Sequence, residues 1–96
     1  MSFEIEDHYT ILTPEWVLER LPAMNEHHAG RLRYAEYRTR FGGITWQYDS
    51  EQKSMALWIN GERADLSKVT RWQFYRICDA IELTVPNDDR SEYGDL

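Results

Sequence analysis

The fold is decided by residues 44–59, "ITWQYDSEQKSMALWI", where apolar and polar side chains alternate before a polar loop and an apolar run follows it. Successive side chains of a strand point to opposite faces, so alternation marks a strand with one buried face. The residues expected on that face are Ile44, Trp46 and Tyr48 on the first strand and Met55, Leu57 and Ile59 on the second. The pattern predicts a β-hairpin, with the pair at 60–61 (Asn-Gly) closing the second strand in a turn.

One helix is predicted before this hairpin in the sequence and another after it. In residues 13–22, Thr13 is a suitable N-cap, Pro14 falls at the first helical position, and Pro22 ends a helix of about two turns. In residues 64–83, an apolar stripe indicates a longer helix, capped by Asp65 or Ser67. The stripe consists of Phe74, Ile77, Cys78 and Ile81.

A third helix is predicted between them, over residues 31–41. Tyr34, Tyr37 and Phe41 follow the spacing of one helix face, and Gly42 suits the left-handed position that ends a helix. A strand is the competing interpretation, because residues 31–34 alternate, but this alternation fails at Ala35 and Glu36.

Together these elements predict a small single α+β domain over residues 1–86, with a central β-hairpin packed by two to three helices. Residues 3–5 are a further, short candidate strand. Residues 87–96 carry four acids against one base, a net charge of −3, and show no periodicity. We expect them to form an acidic flexible tail that contributes little to the fold.

Charge is unevenly distributed along the chain. The net charge is −6, yet residues 31–48 carry four arginines against Glu36, a net of +3. A negative protein is repelled by phosphate, so direct nucleic-acid binding is not expected. The single cysteine excludes an internal disulfide, and no apolar run approaches the length of a membrane helix. We expect a soluble, cytoplasmic protein that does not bind a membrane.

No arrangement of residues predicts an enzyme, a metal site or a cofactor. The adjacent His27 and His28 point in different directions on any regular element, so they do not share one ion. Cys78 lies on an apolar stripe, where a core thiol is the expected role. Asp88 and Asp89 lie in the polar tail, where nothing fixes their separation for acid/base work.

Aromatic and arginine side chains instead predict a protein-binding surface. Tryptophan, tyrosine and arginine are enriched in interface hot spots. Trp58 faces away from the core if its neighbours Leu57 and Ile59 face into it, unless a helix covers the second face of the hairpin. The predicted partner-binding residues are Arg33, Arg38, Arg40, Trp46 and Trp58. Tyr34, Tyr37 and Phe41 are expected mainly to support the fold.

In size, acidity, aromatic content and lack of a catalytic motif, the chain resembles the small proteins that bacteriophages encode against host defence complexes. These include inhibitors of CRISPR complexes and the anti-RecBCD proteins of lambdoid phages. The resemblance implies a non-enzymatic module that binds and inhibits or modulates a multi-subunit host nuclease. The alternative is a small DNA-associated regulator or antitoxin that uses the helix carrying Lys68 and Arg76.

Overall fold

The computed structural model describes residues 9–21 and 26–90, which form a five-stranded antiparallel sheet and two α-helices. The chain is therefore an α+β domain, as the sequence predicts. The helices are α1 (Pro14–Arg20) and α2 (Arg71–Ala80), and the strands are β1 (Glu26–Ala29), β2 (Leu32–Thr39), β3 (Gly42–Asp49), β4 (Ser54–Ile59) and β5 (Glu62–Ala64). A 3₁₀ helix, Leu66–Lys68, precedes α2. The candidate strand at residues 3–5 lies outside the described residues.

The predicted hairpin is confirmed as β3 and β4. Its cross-strand pairs bring Ile44 opposite Ile59 and Trp46 opposite Leu57, all on one face. Every strand pairs with its neighbour in the sequence, so the sheet is a meander in the order β1-β2-β3-β4-β5. The turn at residues 60–61 leads directly into β5, a strand that was not predicted.

The predicted helix over residues 31–41 is wrong, because this segment forms β2. It pairs with β3 along its whole length, from Leu32 opposite Asp49 to Thr39 opposite Gly42. Ala35 is buried and Glu36 is exposed, so the alternation continues through the pair at which it seemed to fail. A small alanine fits here because it lies opposite the large Trp46 on the buried face.

Both predicted helices on either side of the hairpin are confirmed, with one change of cap. Thr13 caps α1 by accepting a hydrogen bond from the backbone N–H of Trp16 at 3.2 Å, and Pro14 occupies the first turn. The cap of α2 is Thr70, which exchanges hydrogen bonds with Gln73 in a capping box. Asp65, one of the two predicted caps, instead caps the short 3₁₀ helix.

Both α-helices pack on the same face of the sheet. The rings of Phe74 and Tyr75 on α2 meet Trp16 on α1 edge to face, each at 5.4 Å between centroids. Beneath them lie buried side chains of three strands: Ala35, Tyr37, Ile44, Trp46, Tyr48 and Leu57. The opposite face, which we call the open face, carries the alternate side chains: Tyr34, Glu36, Arg38, Thr45, Gln47, Ala56, Trp58 and Arg63.

The segment after α2 returns to α1. Asp89 accepts hydrogen bonds from the guanidinium of Arg20 and from the hydroxyl of Tyr75. Arg20 is a buried charged residue, and its hydrogen bond and ion pair with Asp89 raise the pKa of the guanidinium although burial alone lowers it. Residues 87–90 of the expected tail thus contact the domain. Residues 91–96 lie outside the described residues, and the domain boundary at residue 86 stays a prediction.

Candidate partner-binding surface

The open face displays aromatic rings next to cationic groups. Trp58 lies opposite Arg63 on β5, and the guanidinium carbon of Arg63 is 5.9 Å from the centre of the Trp58 ring. Tyr34, 42% exposed, stacks on the ring of His27 from β1 at 5.2 Å. Because the described helices pack on the other face, these rings are accessible from solvent.

Two hairpin tips lie together at one end of this face. The β2–β3 tip is residues 40–41 and the β4–β5 tip is residues 60–61. They are joined because the backbone N–H of Gly43 donates to Asn60 Oδ1 at 2.8 Å and the N–H of Asn60 donates to the Gly43 carbonyl at 2.9 Å. Arg38, Arg40 and Arg63 all belong to this end of the sheet, which we call the arginine end.

The charges of the arginine end are poorly compensated. Arg38, with 78% of its side chain exposed, has a carboxylate of Glu36 only at 4.0 Å. The guanidinium carbon of Arg40 is 4.9 Å from the centre of the Phe41 ring, and that of Arg63 is near the Trp58 ring. Within the described ranges neither group has a carboxylate oxygen within 4.0 Å. By contrast, Arg31 meets Asp49 at 3.2 Å and Arg90 meets Asp88 at 2.8 Å.

A polar notch is lined by residues next to both tips. It has a volume of about 410 Å³ and is lined by Arg38, Thr39, Gly42, Gly43, Thr45, Asn60 and Gly61. Gly42 is required at the base of the notch: it has a φ of +148°, and a Cβ there would lie 2.4 Å from Asn60 Oδ1. Arg38 can only donate hydrogen bonds, and the amide NH₂ of Asn60 and the hydroxyl of Thr45 can also donate, so the notch accommodates an acceptor group.

The structure brings three of the five predicted partner-binding residues together: Arg38, Arg40 and Trp58 lie at the arginine end. Arg33 lies on the helix-covered side, where its guanidinium carbon is 5.8 Å from the centre of the Trp46 ring and 5.9 Å from that of Tyr48. Trp46 is a correction, because its side chain is 0% exposed and has no surface to offer a partner.

Sequence reasoning missed Arg63, Phe41 and Tyr34 as surface residues. Phe41 is 49% exposed at its hairpin tip, and Tyr34 lies on the open face, so only Tyr37 of the three predicted fold-supporting rings is buried. The signal for Arg63 was the Asn-Gly pair at 60–61. This pair is typical of a hairpin turn, so it indicates that a further strand follows it. The signal for Tyr34 was the alternation that begins at residue 31.

The other candidates for chemistry do not form a site. Within residues 9–21 and 26–90, no cluster of three or more His, Cys, Asp or Glu residues is arranged to hold a metal ion. Cys78 is 0% exposed, and burial, with a smaller effect of Asp79, raises the pKa of its thiol to about 12. Such a thiol is a poor nucleophile at neutral pH. The carboxylate of Asp89 already accepts hydrogen bonds from Arg20 and Tyr75.

Comparisons with protein-family models, with curated proteins and with solved structures find no match for this chain. No helix in the part of the chain that the structure describes has the length and apolar character needed to cross a bilayer.

Proposed function

We propose that this protein is a non-enzymatic interaction module that binds a protein partner through the arginine end of its open face. The observation that carries the proposal is the combination, at one end of a face free of the described helices, of two arginines within cation–π distance of aromatic rings and a third that is largely exposed. The two pairs are Arg63 with Trp58 and Arg40 with Phe41.

This combination matches the chemistry of interface hot spots. An aromatic ring supplies a large contact area with little loss of side-chain freedom, and a guanidinium stacked on it is already oriented toward its acceptors. Truncation of such an anchor commonly costs about 2 kcal/mol of binding free energy or more. A few such residues are enough for specific binding by a domain of this size.

The proposed partner is a multi-subunit host complex that handles nucleic acid, and the proposed effect is inhibition or modulation of that complex. The support for this class of partner is the resemblance of the chain to phage anti-defence proteins in size, acidity and composition. Of the members of this class, RecBCD offers a direct assay, because its degradation of linear duplex DNA is readily followed.

The test uses three single substitutions in the full chain: Trp58→Ala, Arg38→Ala and, as the matched control, Arg76→Ala. Arg76 is exposed on α2, on the helix-covered side of the sheet. Partners are captured from a bacterial lysate on each immobilised protein, identified by mass spectrometry, and then purified for binding and activity assays. We expect Trp58→Ala and Arg38→Ala each to weaken binding about thirtyfold, with Arg76→Ala unchanged.

Two results would count against the proposal. One is equal binding of the partner by all three variants, which would place the interface elsewhere. The other is tight binding of duplex DNA by the isolated protein at about 150 mM salt, near physiological ionic strength. No observation favours the DNA-associated alternative, because Lys68 and Arg76 belong to different elements and the whole sheet separates α1 from α2 along the chain.

A further inference from the structure

We infer that the partner presents an acidic segment whose carboxylates bind Arg38, Arg40 and Arg63 at the arginine end. This inference rests on the proposed function and names the chemistry of the partner. The arginines of this chain differ in whether a carboxylate of the chain itself binds them.

Three guanidinium groups elsewhere in the described chain, those of Arg20, Arg31 and Arg90, bind carboxylates of the chain itself. Arg90 donates to Asp88 Oδ2 through Nε at 3.1 Å and through Nη2 at 2.8 Å, and Arg31 donates to Asp49 Oδ2 at 3.2 Å. A guanidinium has five N–H donors and matches a carboxylate in a two-point geometry. Among the described residues, the guanidinium groups of the arginine end have one carboxylate contact, the 4.0 Å pair of Arg38 and Glu36.

Aromatic rings lie close to two of these guanidinium groups. The guanidinium carbons of Arg63 and Arg40 lie 5.9 Å and 4.9 Å from the centres of the Trp58 and Phe41 rings, within the range of a cation–π attraction. This attraction favours positions of the two groups close to the rings, so less side-chain freedom is lost when a carboxylate binds. The polar notch adds neutral donors. Asn60 Oδ1 already accepts the N–H of Gly43, which leaves the amide NH₂ of Asn60 to donate, and the Thr45 hydroxyl lines the same notch.

Charge complementarity favours a short acidic protein segment over nucleic acid. The body of the protein is negative, with a net charge of −6, and a long polyanion is repelled along its whole length. Three arginines neutralise only a few phosphates, and the binding that results falls steeply with salt. A segment with two or three carboxylates spaced over a few residues matches the number of cations present.

The experiment uses three short probes against the full chain labelled with ¹⁵N: hexaglutamate, hexaglutamine and a thymidine hexanucleotide. Amide resonances are followed at about 150 mM salt, near physiological ionic strength. We expect hexaglutamate to shift resonances of residues 38–45 and 58–63, with weak affinity, and hexaglutamine to shift none. In the double variant Arg38→Ala with Arg63→Ala, we expect the affinity to fall at least about tenfold, while Arg76→Ala leaves it unchanged.

Equal shifts with hexaglutamine, no shifts with hexaglutamate, or larger shifts with the hexanucleotide would each overturn the inference. Competition separates this failure from failure of the proposed function. If hexaglutamate does not displace a captured partner whose binding still depends on Trp58, the interaction module stands and the acidic segment is wrong. If hexaglutamate displaces a partner that Arg38→Ala also releases, the interaction module and the acidic segment are both supported.

Discussion

Tyr37 and Trp46 donate hydrogen bonds to one acceptor, the main-chain carbonyl oxygen of Leu21. The two donors belong to neighbouring strands, β2 and β3, and all three residues are fully buried. No N–H group within a helix donates to the carbonyl groups at its C-terminal end. Such a carbonyl therefore needs a hydrogen-bond donor from elsewhere when it is buried. Two side chains of the sheet meet that need and attach the end of α1 to both strands.

We predict that Tyr37→Phe lowers the free energy of unfolding by about 1 kcal/mol, the usual net value of one hydrogen bond. The loss stays small because Trp46 Nε1, 3.3 Å from the Leu21 oxygen, still donates. When Tyr37→Phe is combined with Trp46→Phe, the buried carbonyl loses both donors. The double variant should therefore lose about 1 kcal/mol more than the sum of the single variants. Urea unfolding measures all three; additive losses would show that the two donors act independently.

We predict that Asp89→Ala lowers the unfolding free energy by about 2 kcal/mol, because it leaves the buried guanidinium of Arg20 without this carboxylate. The melting temperature should fall by roughly 10 °C for a domain of this size. Truncation after Pro86 should have a similar effect. The matched control is Asp88→Asn, which affects an ion pair with Arg90 at the surface and should cost less than about 1 kcal/mol. Equal melting temperatures for both variants would contradict a structural role of residue 89.

We predict that Gly42→Ala destabilises the domain more than Gly61→Ala. Both glycines have a positive φ, +148° and +83°, so each substitution strains the backbone. Only at Gly42 does the added Cβ also meet neighbours, 2.4 Å from Asn60 Oδ1 and 2.8 Å from Ile81 Cγ2, whereas nothing lies within 4 Å at Gly61. We expect about 2 kcal/mol more at Gly42. Thermal unfolding of the two variants measures this difference. A lower stability for Gly61→Ala than for Gly42→Ala would mean that the two tips do not contact each other.

Stability should fall with rising pH above about pH 9, in part because of Cys78. The thiol has a pKa of about 12 in the folded chain against an ordinary value of 9.0. The unfolded chain therefore loses this proton first, so the stabilisation is complete below pH 9 and is lost as the pH rises toward 12. The slope reaches about 1.4 kcal/mol per pH unit for one proton. Burial raises the pKa of Tyr75 above 10.0 as well, which adds to the loss only at higher pH.

The check compares the slope of the unfolding free energy between pH 9 and pH 10 in the wild-type chain and in Cys78→Ala. The variant should have the shallower slope even though the smaller side chain lowers its stability at every pH. A thiol reagent gives a second measurement: Cys78 should react slowly in the native state and quickly after unfolding. An unchanged slope together with rapid native labelling would contradict the buried position.

Local chemistry made several elements predictable from sequence. Thr13 and Pro14 specify the start of α1 without any tertiary contact, and the Asn-Gly pair at 60–61 specifies a reversal. The β3–β4 hairpin was predictable because Ile44 and Trp46 alternate with polar residues and an apolar run containing Leu57 follows the polar loop. The α2 stripe, from Phe74 to Cys78, was equally visible, although its cap was placed too early because Asp65 belongs to a separate 3₁₀ turn.

Strand β2 could not be predicted because its two faces carry similar side chains. Tyr34 lies on the open face and Tyr37 in the core, while the small Ala35 between them is buried against large neighbours. Such a strand shows little contrast in hydrophobicity, and three aromatic residues happened to match helical spacing. Pairing with β3, a non-local interaction, decides its conformation. Trp46 differs, because the alternation of β3 already places it on the buried face, and its assignment to the partner surface went against that pattern.

The meander order of the sheet has a consequence for how the chain reaches its folded state. Each strand pairs only with its neighbour in the sequence, so every sheet contact closes a short loop. Local pairing of this kind lowers the average sequence separation of native contacts, which correlates with fast folding. The bonds between Arg20 and Asp89 span 69 residues and are the natural last step. We therefore expect kinetics in which the hairpins form early, with the Arg20–Asp89 pair affecting mainly the unfolding rate.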